Sequence, residues 1–286
     1  MNSKDVCAVV VLYNPDYKAV VNLGATANIF NRVYVIDNSD AENSNLNSEC
    51  FSSFNSIFYV QNNANYGIAK ALNQGVKLAN KSGYLGVVLL DQDTELSDNA
   101  LDELLSIYNE KSEFLPTAIV GSNYKGSSLP ISLDKEEQVD TVITSGSLLS
   151  IDAYRAIGLF NEEYFIDGVD LEYCLRAKIK GFGVYQSTQV LMRHYIGAET
   201  KHKLLGLTFT ARNHSPIRRY YLARNTVFLV RGFFWHFPLY LTTSLINVLR
   251  IAFYIMLFEK DKKKKLFNIC LGLKHGFLGI TGKKPE

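Results

Sequence analysis

Four cysteines in 286 residues (Cys7, Cys50, Cys174 and Cys270) are too scattered for a disulfide framework. None stands in a C-x-x-C pair, which argues against zinc and suits a reducing compartment. Two standard phosphate cradles are also missing. There is no G-x-G-x-x-G and no G-x-x-x-x-G-K-[ST], so a nucleotide bound here must have its diphosphate neutralised in another way. No nucleic-acid motif accompanies the basic residues, which argues against that partner. A signal peptide is not expected: the first five residues are polar, and the apolar run after them is a short one stopped by Asn14-Pro15.

What is present is ordinary for a globular chain: 47% hydrophobic and 20% charged residues. The net charge of +2 hides a division. Residues 201–286 carry 16 Lys/Arg against three acids, Glu259, Asp261 and Glu286, whereas residues 1–200 are acidic overall. An acidic front and a basic, aromatic back imply different partners for each.

The front alternates strand and helix patterns. Val6–Tyr13 is a continuous apolar run, a helix pattern follows over 17–30, and Val33–Asp37 and Ile57–Val60 are further strands. A helix over 68–80 leads to a strand at 85–90, and Ser97 is placed to cap the next helix. This order predicts an α/β fold with a mixed, mostly parallel sheet flanked by helices. Residues 122–140 read as a polar loop, 141–151 as a broken strand, 168–180 as a helix and 190–194 as a strand; 195–215 are polar.

Leu89-Leu-Asp-Gln-Asp93 carries the chemistry. A buried strand that runs into two carboxylates places Asp91 and Asp93 at the carboxyl edge of a sheet, where ligands of open α/β folds bind. Two such carboxylates suit a hard cation, Mg²⁺ or Mn²⁺. Asp37, at the end of the second strand, suits a nucleoside contact. Asn63, Asn65 and Gly67 precede a helix and offer amide groups and a close backbone approach. Asp167 and Asp170 stand at the start of the 168–180 helix, where one of them can act as a general base. His194 is a candidate metal ligand beside the D-x-D pair. Arg218 and Arg224 can share the diphosphate charge.

From Pro216 the chain reads as helical. The 237–258 segment is nearly long enough to span a bilayer. Thr243, Asn247 and Arg250 draw a polar stripe along it, which favours an interfacial amphipathic helix over a spanning one. Lys262–Lys265 follow at once, and an anionic membrane surface attracts such a run.

Together these stretches resemble the family 2 glycosyltransferases with a GT-A fold, in the bacterial rhamnosyltransferase branch. The matching parts are Val10–Pro15, Val35–Ser39, Asn65–Asn73, Leu89–Asp93, Ser145–Ser147, Phe165–Arg176 and His194, in the family's order. The resemblance implies a GT-A domain over 1–215, with a nucleotide-sugar half (1–118) and an acceptor half (119–215), followed by a helical membrane-associating region over 216–286. It implies that Tyr13 and Asp37 contact the nucleoside and that Asn65 and Gly67 line the nucleotide pocket. Asp91 then lies near the ribose and the metal, Asp93 and His194 hold Mg²⁺ or Mn²⁺, and Ser145 and Gly146 form an acceptor loop. Asp170 matches the family's catalytic aspartate. Val169 stands where many members carry an acid, so the base stays open between Asp170 and Asp167. The implied reaction is inverting transfer of rhamnose from dTDP-L-rhamnose to a hydroxyl of a lipid-linked glycan in surface polysaccharide (O-antigen) synthesis. The implied location is the cytoplasm, at the inner face of the bacterial plasma membrane. Alternative donors are UDP-galactofuranose, UDP-glucose and GDP-mannose. A remote alternative is a nucleotidyltransferase, which usually carries a Gly-rich, basic loop where Tyr13-Asn-Pro-Asp16 stands.

Overall fold

β1 (Val6–Leu12) is buried at all seven positions, as its unbroken β-branched run requires of a strand covered on both faces. The computed structural model describes residues 1–42, 51, 54–124, 137–193, 200–204, 207–211 and 213–285. The chain divides into two compact units: Met1–Asn161 with Asp170–Tyr195, and Glu162–Val169 with Ile196–Glu286. A boundary expected at 215/216 thus compares with a division near 195. One short mid-chain loop groups with the C-terminal unit.

In the first unit, β1 is followed by α1 (Tyr17–Ile29), β2 (Val33–Asp37), β3 (Ile57–Gln61), α2 (Ile68–Lys81) and β4 (Gly86–Asp91). Then come β5 (Glu95–Leu96), α3 (Ala100–Ser112), β6 (Thr117–Tyr124), β7 (Glu137–Gln138), β8 (Ser147–Ser150), α4 (Ile151–Ile157), α5 (Val169–Ile179) and β9 (Gly183–Arg193). The sheet order is β3-β2-β1-β4-β8-β6-β9-β5, with β7 also paired to β9. The first four strands are parallel, and β8 enters antiparallel between β4 and β6. α2 lies on β1 with an alanine-rich face, Ala69, Ala71, Leu72, Val76 and Ala79. The core joins β1, β2 and β4 to α3 through Val10, Leu12, Val35, Leu90, Leu104 and Ile107. Cys7 and Cys174 are buried, and burial pushes both thiols up to about 12.

The sequence pattern and the structure differ in several places; the stretch 122–140, read as a polar loop, begins inside β6 and contains β7. Ser97 does not cap α3, whose N-cap is Asn99; the Ser97 hydroxyl donates to Leu191 O at 3.0 Å instead. β9 starts at Gly183, seven residues before the apolar signal: the polar run 186–189 interrupts its pattern, although Gln186 and Ser187 are buried in the sheet. The stretch read as polar connection contains a hairpin, β10 (Thr200–Leu204) and β11 (Leu207–Ala211), in the second unit.

The rest of that unit is α6 (Pro216–Phe233), α7 (Pro238–Phe258) and α8 (Lys262–Leu278). Ser215 caps α6 with proline at the first helical position. α8 lies close on α6 because Gly272 and Gly276 face it. A Cβ on Gly272 would sit 2.3 Å from Tyr220 O, and one on Gly276 2.7 Å from Val227 Cβ. Glu259, between α7 and α8, is buried with two cations: Arg219 Nη2 donates to it at 2.6 Å and Lys265 Nζ at 2.7 Å. Lys265 therefore leaves the basic run expected to face a membrane; Lys262, Lys263 and Lys264 remain exposed. α7 buries only Leu241, Val248 and Ile255, one heptad apart. Leu239, Ile246, Leu249, Phe253 and Met256 on the same helix are open, from 50% to 85% exposed.

Candidate active site

The strand order reverses direction between β1 and β4. β1 connects outward to β2 and β3, and α2 then returns the chain to β4 on the other side of β1. That is the switch point at which open α/β sheets bind ligands, beyond the carboxyl ends of the strands. Register decides which residues meet there. Leu12 pairs with Asp37, Val11 with Asp91, and Asp37 with Gln61. Tyr13, Asp37 and Asp91 thus arrive at one edge from three adjacent strands. Tyr13 is 47% exposed and open to a ligand.

Asp37 is completely buried. Its carboxylate accepts the Ser39 N–H at 2.7 Å and the Tyr59 hydroxyl at 2.5 Å. As placed, it shapes the pocket edge through the 37–39 turn instead of presenting a carboxylate to it. Three amides missed by the sequence reading continue this edge. Asn38 Nδ2 donates to Gly67 O at 3.0 Å, and Asn62 Nδ2 donates to Asn38 Oδ1 at 2.7 Å and to Gln74 Oε1 at 2.8 Å. They tie the ends of β2 and β3 to the start of α2. Asn65 Oδ1 accepts the Gly67 N–H at 2.9 Å, and Asn63 is exposed at φ 56°. Gly67 opens α2 at φ 87°, a conformation that favours glycine, and α2 has no side-chain cap. Its first-turn N–H groups are therefore left for water or a ligand.

Asp91 and Asp93 are half-buried. The residue between them is structural: Gln92 Oε1 accepts the Tyr13 N–H at 2.9 Å, and Gln92 O accepts from Asn22 Nδ2 at 3.2 Å. The D-x-D turn is thereby tied to β1 and α1. β8 runs antiparallel to β4, so the turn before β8 lies beside the end of β4. There Ser145 Oγ accepts the Asp91 N–H at 3.0 Å and sits 2.5 Å from Thr94 Oγ1. Gly146 N–H donates to Leu89 O at 2.8 Å. Ser145 is 2% exposed, so it supports the carboxylate turn from beneath and is not open to an acceptor. Among the described residues no group of three metal-ligating side chains gathers. The two carboxylates at one strand end still fit a small hard cation, which keeps water and substrate phosphates in the rest of its shell. His194 lies outside the described residues. The strand before it ends at Arg193, paired with Glu95.

Asp170 is in the first turn of α5 and half-buried; its Oδ1 accepts the Leu171 N–H at 2.9 Å. Two residues on, Glu172 is buried in a double hydrogen bond with Arg176, at 2.7 and 2.8 Å. Arg176 also donates to Ile157 O and Leu159 O, which fixes this acid-bearing helix within its unit.

In the second unit, Asp167 accepts from Arg218 Nε at 3.1 Å, while its Oδ2 is buried without a partner. Burial raises the Asp167 pKa above its ordinary value, against the pull of Arg218 and then Arg219. Phe165 and Asp167 are held at φ 61° and 63°, which costs about 1–3 kcal/mol each. Arg224 is fully buried. It donates to Gly282 O at 2.6 Å, Tyr164 O at 3.0 Å, Glu163 O at 3.1 Å and Asn225 Oδ1 at 2.9 Å. Four of its five donors are spent within the chain, so the expected diphosphate contact does not fit Arg224. Arg218, by contrast, is exposed.

Comparisons with known proteins agree with this architecture. The model of glycosyl transferase family 2 matches residues 17–132. A dTDP-rhamnosyl transferase, RfbF, of Shigella flexneri is 28% identical over 300 residues, covering 99% of this chain and 98% of that protein. Among solved structures, S. aureus TarS (residues 1–349) superposes with a TM-score of 0.53 at 13% identity, covering 96% of this chain and 91% of that one. The same fragment in complex with UDP-GlcNAc gives 0.53. At that identity the TarS likeness is one of fold: a mixed α/β, GT-A arrangement. The ordered motifs, the family match over residues 17–132 and the relative matched along nearly its whole length point the same way: the chain is similar to the glycosyltransferases of family 2.

Proposed function

We propose that the protein transfers L-rhamnose from dTDP-L-rhamnose to a hydroxyl of a lipid-linked glycan, with inversion, in surface polysaccharide synthesis. The donor rests on the relative named a dTDP-rhamnosyl transferase, matched end to end. The observation that carries the reading is the meeting of Tyr13, the Asp37 turn and Asp91 at the switch point of the sheet.

In this reading Tyr13 and the 37–39 turn receive the nucleoside, and Asn63, Asn65 and the Gly67 backbone line the nucleotide pocket. Asp91 lies at the ribose side. Asp93, with Asp91 and His194, would hold Mg²⁺ or Mn²⁺, as family 2 enzymes commonly use divalent metals; when bound, the cation supplies positive charge to the diphosphate. Arg218 is the arginine left to share that charge. The acceptor oxygen attacks the anomeric carbon, and the bond from that carbon to the diphosphate oxygen breaks. The hydroxyl proton passes to Asp170. Asp167 is the weaker candidate for the base, because one of its oxygens is committed to Arg218 and the other is buried.

The open apolar stripe of α7, with exposed Lys262–Lys264 beside its end, supports peripheral attachment to an anionic membrane on the cytoplasmic side. Arg250, exposed within α7, favours lying in the interface over spanning it.

Calorimetry with dTDP-rhamnose, UDP-galactofuranose, UDP-glucose and GDP-mannose, with and without Mg²⁺, tests the donor. Metal-dependent binding of the dTDP sugar is expected; preference for another donor replaces the rhamnose reading. Asp170→Asn should bind donor and lose transfer, and full transfer by that variant moves the base elsewhere.

A further inference from the structure

The loop 162–169, which leads directly into Asp170, is held by an unusual concentration of hydrogen bonds from one dipeptide on α6. Asn225 Nδ2 donates to Tyr164 O at 2.9 Å, Ile166 O at 2.8 Å and Asp167 O at 2.6 Å. Arg224 Nη2 donates to Glu163 O and Tyr164 O. Four of the loop's backbone carbonyls are taken by two adjacent side chains. Phe165 stacks on Tyr221 with ring centroids 5.1 Å apart. Three of the last four loop residues before α5 (Phe165, Asp167 and Gly168) have positive φ, a backbone that does not persist unless its surroundings over-determine it.

The end of the chain closes the same clamp. Gly282 O accepts from Arg224 Nη1 at 2.6 Å, and Gly282 N–H donates to Glu163 O at 2.8 Å. Lys284 N–H donates to the Tyr221 hydroxyl at 2.8 Å. Gly282 has φ 71°, so a β-branched side chain there would pull the tail out of the conformation that makes both bonds.

We infer that Arg224, Asn225 and the Gly282 backbone are positioning groups for the candidate base: they fix the loop that delivers Asp170, without touching donor or acceptor. The inference rests on the reading of Asp170 as base. Both residues are buried, 0% and 1% exposed, and their donors are spent on main-chain carbonyls and on each other. A binding role would need donors turned to a ligand. A purely stabilising role would not need both side chains and the chain end to converge on one strained loop.

The experiment compares Asn225→Asp, Arg224→Lys and Gly282→Val in the full-length protein. The first is isosteric and sets a carboxylate against three carbonyls. The last is half-buried, and a Cβ there meets no other atom within 4 Å, so the substitution disturbs the backbone bonds of Gly282 without a clash in the core. Thermal unfolding, dTDP affinity by calorimetry, and kcat and KM for dTDP release from dTDP-L-rhamnose, with octyl rhamnoside or water as acceptor, are measured for each. In every folded variant kcat should fall at least tenfold, with KM for the donor and the dTDP Kd within about twofold of the parent. Arg224→Lys, which keeps the charge but not the fork, should not restore kcat. Unchanged kcat in Gly282→Val, or parallel loss of kcat and dTDP affinity, overturns the inference. Asp170→Asn is run beside them: full turnover there overturns the base assignment itself, and failure of the donor to bind the parent overturns the donor reading.

Discussion

The Ser145 hydroxyl accepts the backbone N–H of Asp91 at 3.0 Å and lies 2.5 Å from Thr94 Oγ1, across more than fifty residues of chain. One buried hydroxyl thus links the turn before β8 to both ends of the Asp91–Thr94 turn. Ser145→Ala leaves the Asp91 N–H without that acceptor, at a cost of about 1–3 kcal/mol. Urea unfolding should show the loss, and donor affinity should weaken because the carboxylate turn is released. Thr94→Val removes the same link from its other end. The double variant should lose clearly less than the sum of the two singles; strict additivity would show that the hydroxyl pair is not coupled.

Glu259 is the only acid in a buried trio with Arg219 and Lys265. Glu259→Ala removes the carboxylate shared by two buried cations and should destabilise the C-terminal helices by roughly 3–5 kcal/mol. Hydrogen exchange would locate the effect in α6–α8. A melting temperature equal to the parent's would contradict the burial of this trio.

Asp167 gives a pH dependence with a definite sign. Its folded pKa is raised above the ordinary 3.8 by burial. The folded state therefore holds the proton longer than the unfolded one, and this group's contribution to stability falls as pH rises through the interval above 3.8. Asp167→Asn cannot ionise. Its stability relative to the parent should rise across that interval and be lowest below it. Parallel curves for the two proteins from pH 3.5 to pH 7 would refute the shift.

The open stripe of α7 predicts binding to anionic vesicles that weakens with salt. Each exposed lysine among Lys262–Lys264 should contribute about 1 kcal/mol near the surface. Leu249→Asp with Phe253→Asp should abolish sedimentation with phosphatidylglycerol vesicles while leaving the melting temperature unchanged, since both side chains are exposed. Equal binding of parent and variant would remove the membrane from the proposal.

Much of the first unit was legible because its strands announce themselves. β1 and β4 are unbroken apolar runs that end in residues of distinctive chemistry, so both the sheet and the Asp91–Asp93 pair could be read directly. The supporting amides could not. Gln92 and Asn62 are unremarkable in sequence, and only the register of β1, β2 and β4 turns them into cross-links. The Ser145–Ser147 motif carries no sign of which way a hydroxyl points, so the bond from the Asp91 N–H to Ser145 Oγ is not legible in it. Arg224 misled for a related reason: an arginine among tyrosines looks like an anion site until its donors are traced to carbonyls. The hairpin of β10 and β11 was hidden because β10 is almost wholly polar and the alternation of β11 spans only five residues.

Gly282, whose N–H meets Glu163 O, follows every strand of the sheet in the chain and comes after α8. Synthesis runs from the N-terminus, and early segments fold before late ones. The sheet with its D-x-D turn can therefore form while the last helix is still inside the ribosome, but the Gly282 contacts cannot. A nascent chain would acquire a nucleotide pocket before it acquires a clamped acid loop. Truncation just before Gly282 would then leave a protein that binds sugar nucleotide and turns it over slowly.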